Sequence, residues 1–168
     1  MPKGLKQSSS VVSIGFRTQE SAPNTFTQSQ IDLNLSPLDR EVFVVLAINL
    51  DGSSPDMQDG INSQVAAAVT TTSQTTMTDL DNSNLLARRT EKIRADVGVA
   101  VSFSEAALET PPATLEYIGI IATNDFFLGV QAENCLSPKT CTGKLYGYRA
   151  VASADIYAAL VQSEVLSA

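Results

Sequence analysis

From Ile93 to Phe103 the chain alternates without a break. Ile93, Ala95, Val97, Val99, Val101 and Phe103 fall on one side, and Arg94, Asp96, Gly98, Ala100 and Ser102 on the other. Successive side chains of a strand point to opposite faces, so this order predicts one strand with a single buried face. On that reading Val97, Val99 and Val101 lie in the core together with Val44 and Leu46. The pattern constrains the fold class because most of the remaining chain repeats it.

Ile31, Leu33 and Leu35 alternate with Gln30, Asp32 and Asn34, and Val42 to Leu50 is almost continuously apolar. A run of that second kind marks a strand buried on both faces, or on one face with a partner over the other. Gln64 to Thr78 is rich in β-branched threonine, which favours strands. Leu115 to Thr123 and Phe126 to Gln131 flank Asn124-Asp125, a pair suited to a tight hairpin turn. Lys144 to Ala152 reads as the last strand. Ser153 then caps a short helix with Ile156, Ala159 and Leu160 on one face, a final strand over Ile156 to Val161 being the alternative.

Turns fall at Ser36-Pro-Leu-Asp39, at Asp51 to Asn62 and at Asp79 to Asn84. Glu105 to Thr114 reads as a connection through Pro111-Pro112, with one helical turn at Glu105 to Leu108. Several strands of moderate length separated by turn signals predict an all-β sandwich or barrel. Helical patterns between strands, which a doubly wound α/β fold needs, are missing.

Residues 1–25 read as an N-terminal arm, rich in Ser and Gln, ahead of a single domain over 26–168. Val11, Val12, Ile14 and Phe16 form its only apolar patch. Such a patch is long enough to add one strand to a sheet edge, in its own subunit or in a neighbour's, and is expected to serve assembly.

Composition narrows the function. The chain is 43% hydrophobic but only 17% charged, so Ser, Thr, Gln and Asn supply much of its polar surface. Interface cores are depleted in charge, which suits a surface partly covered by neighbours; an extracellular β domain is the plainer reading. The net charge of −7 leaves no basic footprint for strong nucleic-acid binding. The first residues carry Lys3, Lys6 and Arg17 against Glu20, too few cations for a nucleic-acid arm. No stretch is long and apolar enough to span a membrane, and the N-terminus lacks the apolar core of a secretory signal. The expected place of synthesis is the cytoplasm, without a signal peptide.

Nothing in the chain is arranged for catalysis. There is no histidine, so a serine nucleophile would lack its usual base. No cofactor loop is recognisable, and no cofactor, catalytic or metal-ligand set is assigned. The acids of Asp51 to Gly60 and Asp79 to Asn84 miss calcium-loop spacing and suit local turn hydrogen bonds better. Cys135 and Cys141 bracket a Pro138-containing turn; they cannot hold zinc alone, which leaves a hairpin disulfide or two reduced thiols. Arg88-Arg89-Thr-Glu91-Lys92 is the one basic cluster of the body. In a strand it sets Arg88 and Lys92 on one face and Arg89 and Glu91 on the other, as a solvated face or as rim charges in an assembly.

Thr123-Asn-Asp-Phe-Phe-Leu-Gly-Val-Gln131, Lys144-Leu-Tyr-Gly-Tyr-Arg149 and Asp155-Ile-Tyr-Ala-Ala-Leu-Val-Gln-Ser-Glu164 together resemble the C-terminal region of small virion proteins from environmental viruses of archaea and bacteria. The resemblance implies a β-sandwich or jelly-roll subunit that builds or decorates a shell, with no catalytic residues to carry over. The usual basic, genome-facing arm of shell proteins is absent. The reading is therefore a capsid or capsid-associated subunit of the virion. It assembles with identical copies and with other virion proteins. A non-viral surface-layer, pilus-like or carbohydrate-binding β domain is the alternative.

Overall fold

The computed structural model describes residues 1–107 and 115–167. In chain order they form β1 (Leu5–Gln7), β2 (Val12–Gln19), β3 (Thr27–Asp32), β4 (Glu41–Gly52), β5 (Ser63–Thr70), β6 (Leu85–Asp96), β7 (Val99–Ala107), β8 (Gly119–Ile121), β9 (Asp125–Glu133), β10 (Thr140–Ala152) and α1 (Ala154–Leu166). The chain is an all-β sandwich of two antiparallel sheets with one C-terminal helix. Sheet A runs β8-β4-β10, with β2 and β1 lying along the far edge of β10. Sheet B runs β3-β9-β5-β6-β7.

Leaving aside β1 and β7, eight strands remain. Counted in chain order, they are arranged 1-8-3-6 in one sheet and 2-7-4-5 in the other. That order is a jelly roll, in which consecutive strands repeatedly cross between sheets. The crossing explains why Asn124-Asp125 is no hairpin turn: β8 belongs to sheet A and β9 to sheet B, so the pair links the layers. Asn124 seals the passage, its carbonyl accepting from Leu33 N–H at 2.8 Å and its side chain from Leu35 N–H at 2.6 Å. For the same reason Cys135 and Cys141 do not face each other across a hairpin mouth.

The core between the sheets holds Phe43, Ile48, Phe126, Leu128 and Leu145, with both cysteines buried among them. Of the two edges open to the N-terminal patch, the structure shows the subunit's own. β2 pairs with β10 from Val12↔Gly147 to Gln19↔Thr140. Phe16 is buried and meets Phe126 edge to face, centroids 5.3 Å apart. Opposite it stands Gly143, where any Cβ would strike the Phe16 ring.

The apolar run of β4 is buried on both faces from Val42 to Val45. Phe43 and Val45 face the sandwich core. Val42 and Val44 face outward, with Tyr148 and Ala150 of β10, into a second cluster roofed by Tyr157, Leu160 and Val161 of α1. Leu46, expected to be fully inward, is half-buried at the rim of that cluster. The helix exists as expected, but its buried stripe is Tyr157, Leu160, Val161 and Glu164; Ile156 and Ala159 are exposed. Ser153 stands at its N-cap without a side-chain hydrogen bond.

Glu164 fastens the far end of the helix. Its carboxylate accepts the N–H groups of Ala122 and Thr123 at 2.9 and 3.0 Å. A second buried carboxylate, Glu20, accepts from Ala132 N–H at 2.7 Å and Lys139 N–H at 2.8 Å, tying the end of β2 to the β9–β10 connection. Burial lifts the Glu164 carboxyl above its ordinary 4.5, against the pull of those N–H donors.

The expected connection at 105–114 lies outside the described residues beyond Ala107; Glu105 to Ala107 continue β7 rather than forming a helical turn.

Three outcomes follow from this architecture. Phe16→Ala should cost about 3–5 kcal/mol in urea denaturation, since it empties a core site of the subunit itself. Gly147→Ala should destabilise by about 1–3 kcal/mol, because the added Cβ runs into the Val44 carbonyl, which is backbone and cannot step aside. For Glu164 the folded chain retains a proton that the unfolded chain releases, so its contribution falls as pH rises through the interval above 4.5. Glu164→Gln keeps an acceptor for both N–H groups without the charge. The stability of the wild type relative to this variant should decline in thermal melts as pH rises from below 4.5 through the raised range of the folded carboxyl.

Candidate assembly surface

The alternating run Ile93–Phe103 is not one strand. It is the end of β6, a two-residue turn at Val97-Gly98, and the start of β7. Gly98 adopts φ +76°, a conformation that glycine takes without steric cost. The turn sets Asp96 opposite Val99, three positions apart, so the side-chain parity inverts across it. Ile93 shares the inner face of sheet B with Glu91, Arg89 and, across β5, Val65 and Ala67 of the core. Val99, Val101 and Phe103 share the outer face with Asp96, Arg94 and Lys92.

The part of that apolar side from Val97 to Phe103, which the sequence assigned to the core, is therefore solvent-facing, while Ile93 keeps the inner face. Val97 is 79% exposed, Val99 67%, Val101 52% and Phe103 50%. An unbroken alternation is compatible with either a long strand or a two-residue hairpin, and only the parity inversion tells them apart.

The hairpin is held rigidly to the sandwich. On its inner face Arg89 donates to Glu91 at 2.8 Å, to Ser104 Oγ at 3.3 Å and to the Leu50 carbonyl of β4 at 3.2 Å. Ser104 donates to Glu91 at 2.8 Å, joining β7 to the same cluster. On the outer face Lys92 pairs with Glu105 at 3.0 Å, and Arg88 pairs with Asp79 and donates to the Thr78 carbonyl at 2.7 Å. The basic cluster thus divides between two faces as the strand pattern requires, and its charges pair within the chain.

Near the tip, the 53–62 loop reaches the hairpin. Asp59 accepts Gly98 N–H at 2.8 Å and Asn62 accepts Ala95 N–H at 3.0 Å. An open groove of about 290 Å³ lies between Met57 to Asp59 and the residues flanking the turn. Asp56 anchors the loop by accepting from Lys139 Nζ at 2.6 Å and Leu136 N–H at 2.7 Å. The Lys139 ammonium and these donors hold the Asp56 carboxyl below its ordinary value. The acidic loops are thereby committed to local hydrogen bonds and ion pairs. Among the described residues no group of three or more His, Cys, Asp or Glu side chains stands where it could hold a metal ion.

Of the other sites singled out in the sequence, Val11 and Val12 are exposed, Ile14 is half-buried and Phe16 is in the core. Cys135 and Cys141 are free thiols in the core rather than a bridge. Burial pushes the Cys141 thiol up to about 12.

No protein-family model matches the chain, and no curated protein sequence does. Among solved structures it is similar to a chain from Desmodium yellow mottle tymovirus, with 15% identity over 91% of this chain and 93% of that one, and a TM-score of 0.28. At that score the two share too little geometry for one to inform the other. No helix among the described residues is long and apolar enough to cross a membrane.

Because the outer face of β7 is exposed, polar substitutions there should be silent for the isolated subunit. Val99 stands opposite Asp96, and Val99→Lys should shift stability by less than about 0.5 kcal/mol in denaturant titration. A loss of several kcal/mol would mean the strand faces the core.

Proposed function

We propose that this chain is a structural subunit of a virion shell, a capsid or capsid-associated protein that associates with copies of itself. The observation that carries the reading is a jelly-roll sandwich whose β6–β7 hairpin, tied to the sheet by hydrogen bonds and ion pairs, exposes Val97, Val99, Val101 and Phe103. Jelly rolls serve in viral shells and in lectins alike, so the surface and not the fold argues the role. Contiguous exposed apolar side chains on a soluble domain mark an interaction site. The chain's low charge is consistent with a surface that neighbours cover.

The role requires no catalytic residue and no cofactor. Its partners are identical subunits, joined in a virion by other virion proteins, and the acidic balance of the chain argues against strong nucleic-acid binding. Exposed Val11 and Val12, at the outer edge of sheet A, would meet a neighbouring subunit, while Phe16 serves the subunit's own core.

Size-exclusion chromatography with light scattering, followed by negative-stain microscopy of the largest species, tests this reading. Closed shells or regular sheets are the expected result. A monomer at every accessible concentration would overturn it in favour of a surface-layer, pilus-like or carbohydrate-binding domain.

A further inference from the structure

Sheet B ends in an open edge. Among the described residues β7 pairs only with β6, so the backbone groups on its other side have no partner. The two-residue turn makes Asp96 and Val99 the closing hydrogen-bonded pair. Odd-numbered residues of β7 then direct their N–H and C=O towards β6. Ala100, Ser102, Ser104 and Ala106 direct theirs outward.

Edges of this kind are normally blunted by shortness, by proline or by charge. The other edges of the sandwich follow that rule. β8 has three residues, β3 is Thr-Gln-Ser-Gln-Ile-Asp, and β2 carries Arg17. β7 has neither proline nor basic residue, and from Val99 to Ser104 it carries no charge. Six or so residues of high strand propensity without charge are the type of edge that pairs with another chain.

Resting on the reading of the chain as a shell subunit, we propose that two copies join through antiparallel pairing of their β7 strands about a twofold axis at Val101. Sheet B then continues as one sheet of five strands from each copy. The sequence of β7 is self-complementary in this register. Val101 meets Val101, and Val99 of each copy meets Phe103 of the other, so all the apolar side chains stack on one face. On the other face Ala100 meets Ser102, small against small. Sliding two residues one way sets Glu105 against Val99; sliding the other way sets Phe103 against Val97 in the turn.

The charges agree with this register. Each outer row starts at Asp96 of one copy, crosses Val99 and Phe103, and ends at Lys92 of the other, which gives an apolar centre with oppositely charged ends. The two Arg94 residues stand three strand spacings apart, about 14 Å, which exceeds the screening length of about 8 Å at physiological salt.

The register can be tested with introduced cysteines, because the two native thiols are buried. Val101→Cys places the new thiol opposite its own copy in a non-hydrogen-bonded pair, about 4.5 Å between Cα atoms, within reach of a disulfide. Glu105→Cys places it about 27 Å from its copy along the paired strands. With diamide as the two-electron thiol oxidant, V101C should cross-link to a dimer on non-reducing gels and E105C should not. In parallel, Val101→Lys should lower the dimer population in sedimentation velocity at least tenfold, with a melting temperature equal to that of the wild type at dilutions where both are monomeric.

Equal cross-linking of both cysteine variants, or V101K dimers as abundant as wild type, would overturn the β7 pairing. If V101K still forms shells, the shell reading survives and only the pairing falls. If V101C cross-links but no larger assembly ever forms, the pairing stands and the shell reading falls. A wild-type chain that stays monomeric yet floats with phosphatidylcholine vesicles would overturn the pairing in favour of a lipid occupant.

Discussion

Strand β10 must hydrogen-bond along both of its edges at once, and sheet A depends on that. On one side it carries β1 and β2 end to end, and on the other β4. Buried backbone groups left unpaired are costly, so the two sides have to be satisfied together. The register against β4 shifts between Tyr146 and Gly147, where Leu46 is the extra residue. That bulge changes which side chains face the helix. Before it, Leu145 and Ile48 look into the sandwich; after it, Tyr148 and Val44 look outward to α1. The irregularity inverts the facing of β4 alone, with Ile48 inward before it and Val45 and Phe43 inward after it. β10 alternates regularly and serves both cores through its two faces.

The second core explains the composition of β4. A strand in a free-standing sandwich would alternate, yet Val42 to Val45 is apolar at every position because α1 covers the outer face. The helix is in turn held by its apolar stripe and by Glu164, whose buried carboxyl accepts two backbone N–H groups. Glu20 plays the matching part at the opposite connection. Both joints use a carboxylate where the chain turns between sheets and leaves N–H groups without strand partners.

Much of this was legible before the structure. The all-β class, the double-sided burial of β4, the C-terminal helix and the facing of Arg88 and Lys92 against Arg89 and Glu91 all follow from side-chain periodicity, which is local. What was not legible depends on which strands lie in which sheet. Asn124-Asp125 has the composition of a hairpin turn but joins two layers, and nothing near it in sequence distinguishes the cases. The exposure of Val99, Val101 and Phe103 was hidden by a two-residue turn that preserves alternation while reversing the face; Asp96-Val-Gly98 was the one local signal, since glycine in a strand often marks a turn or bulge. The helix stripe was misplaced because Glu164, a charged residue, belongs to its buried side.

The two thiols carry a practical consequence. Cys141 lies in the core with its thiolate form strongly disfavoured, and Cys135 is buried in the same apolar cluster. Burial shields both sulfurs, and at Cys141 the nucleophilic thiolate is disfavoured as well, so reagents meet them only when the layers part. Their rate of alkylation therefore counts the moments at which the sandwich parts, a built-in clock for local opening that needs no introduced label.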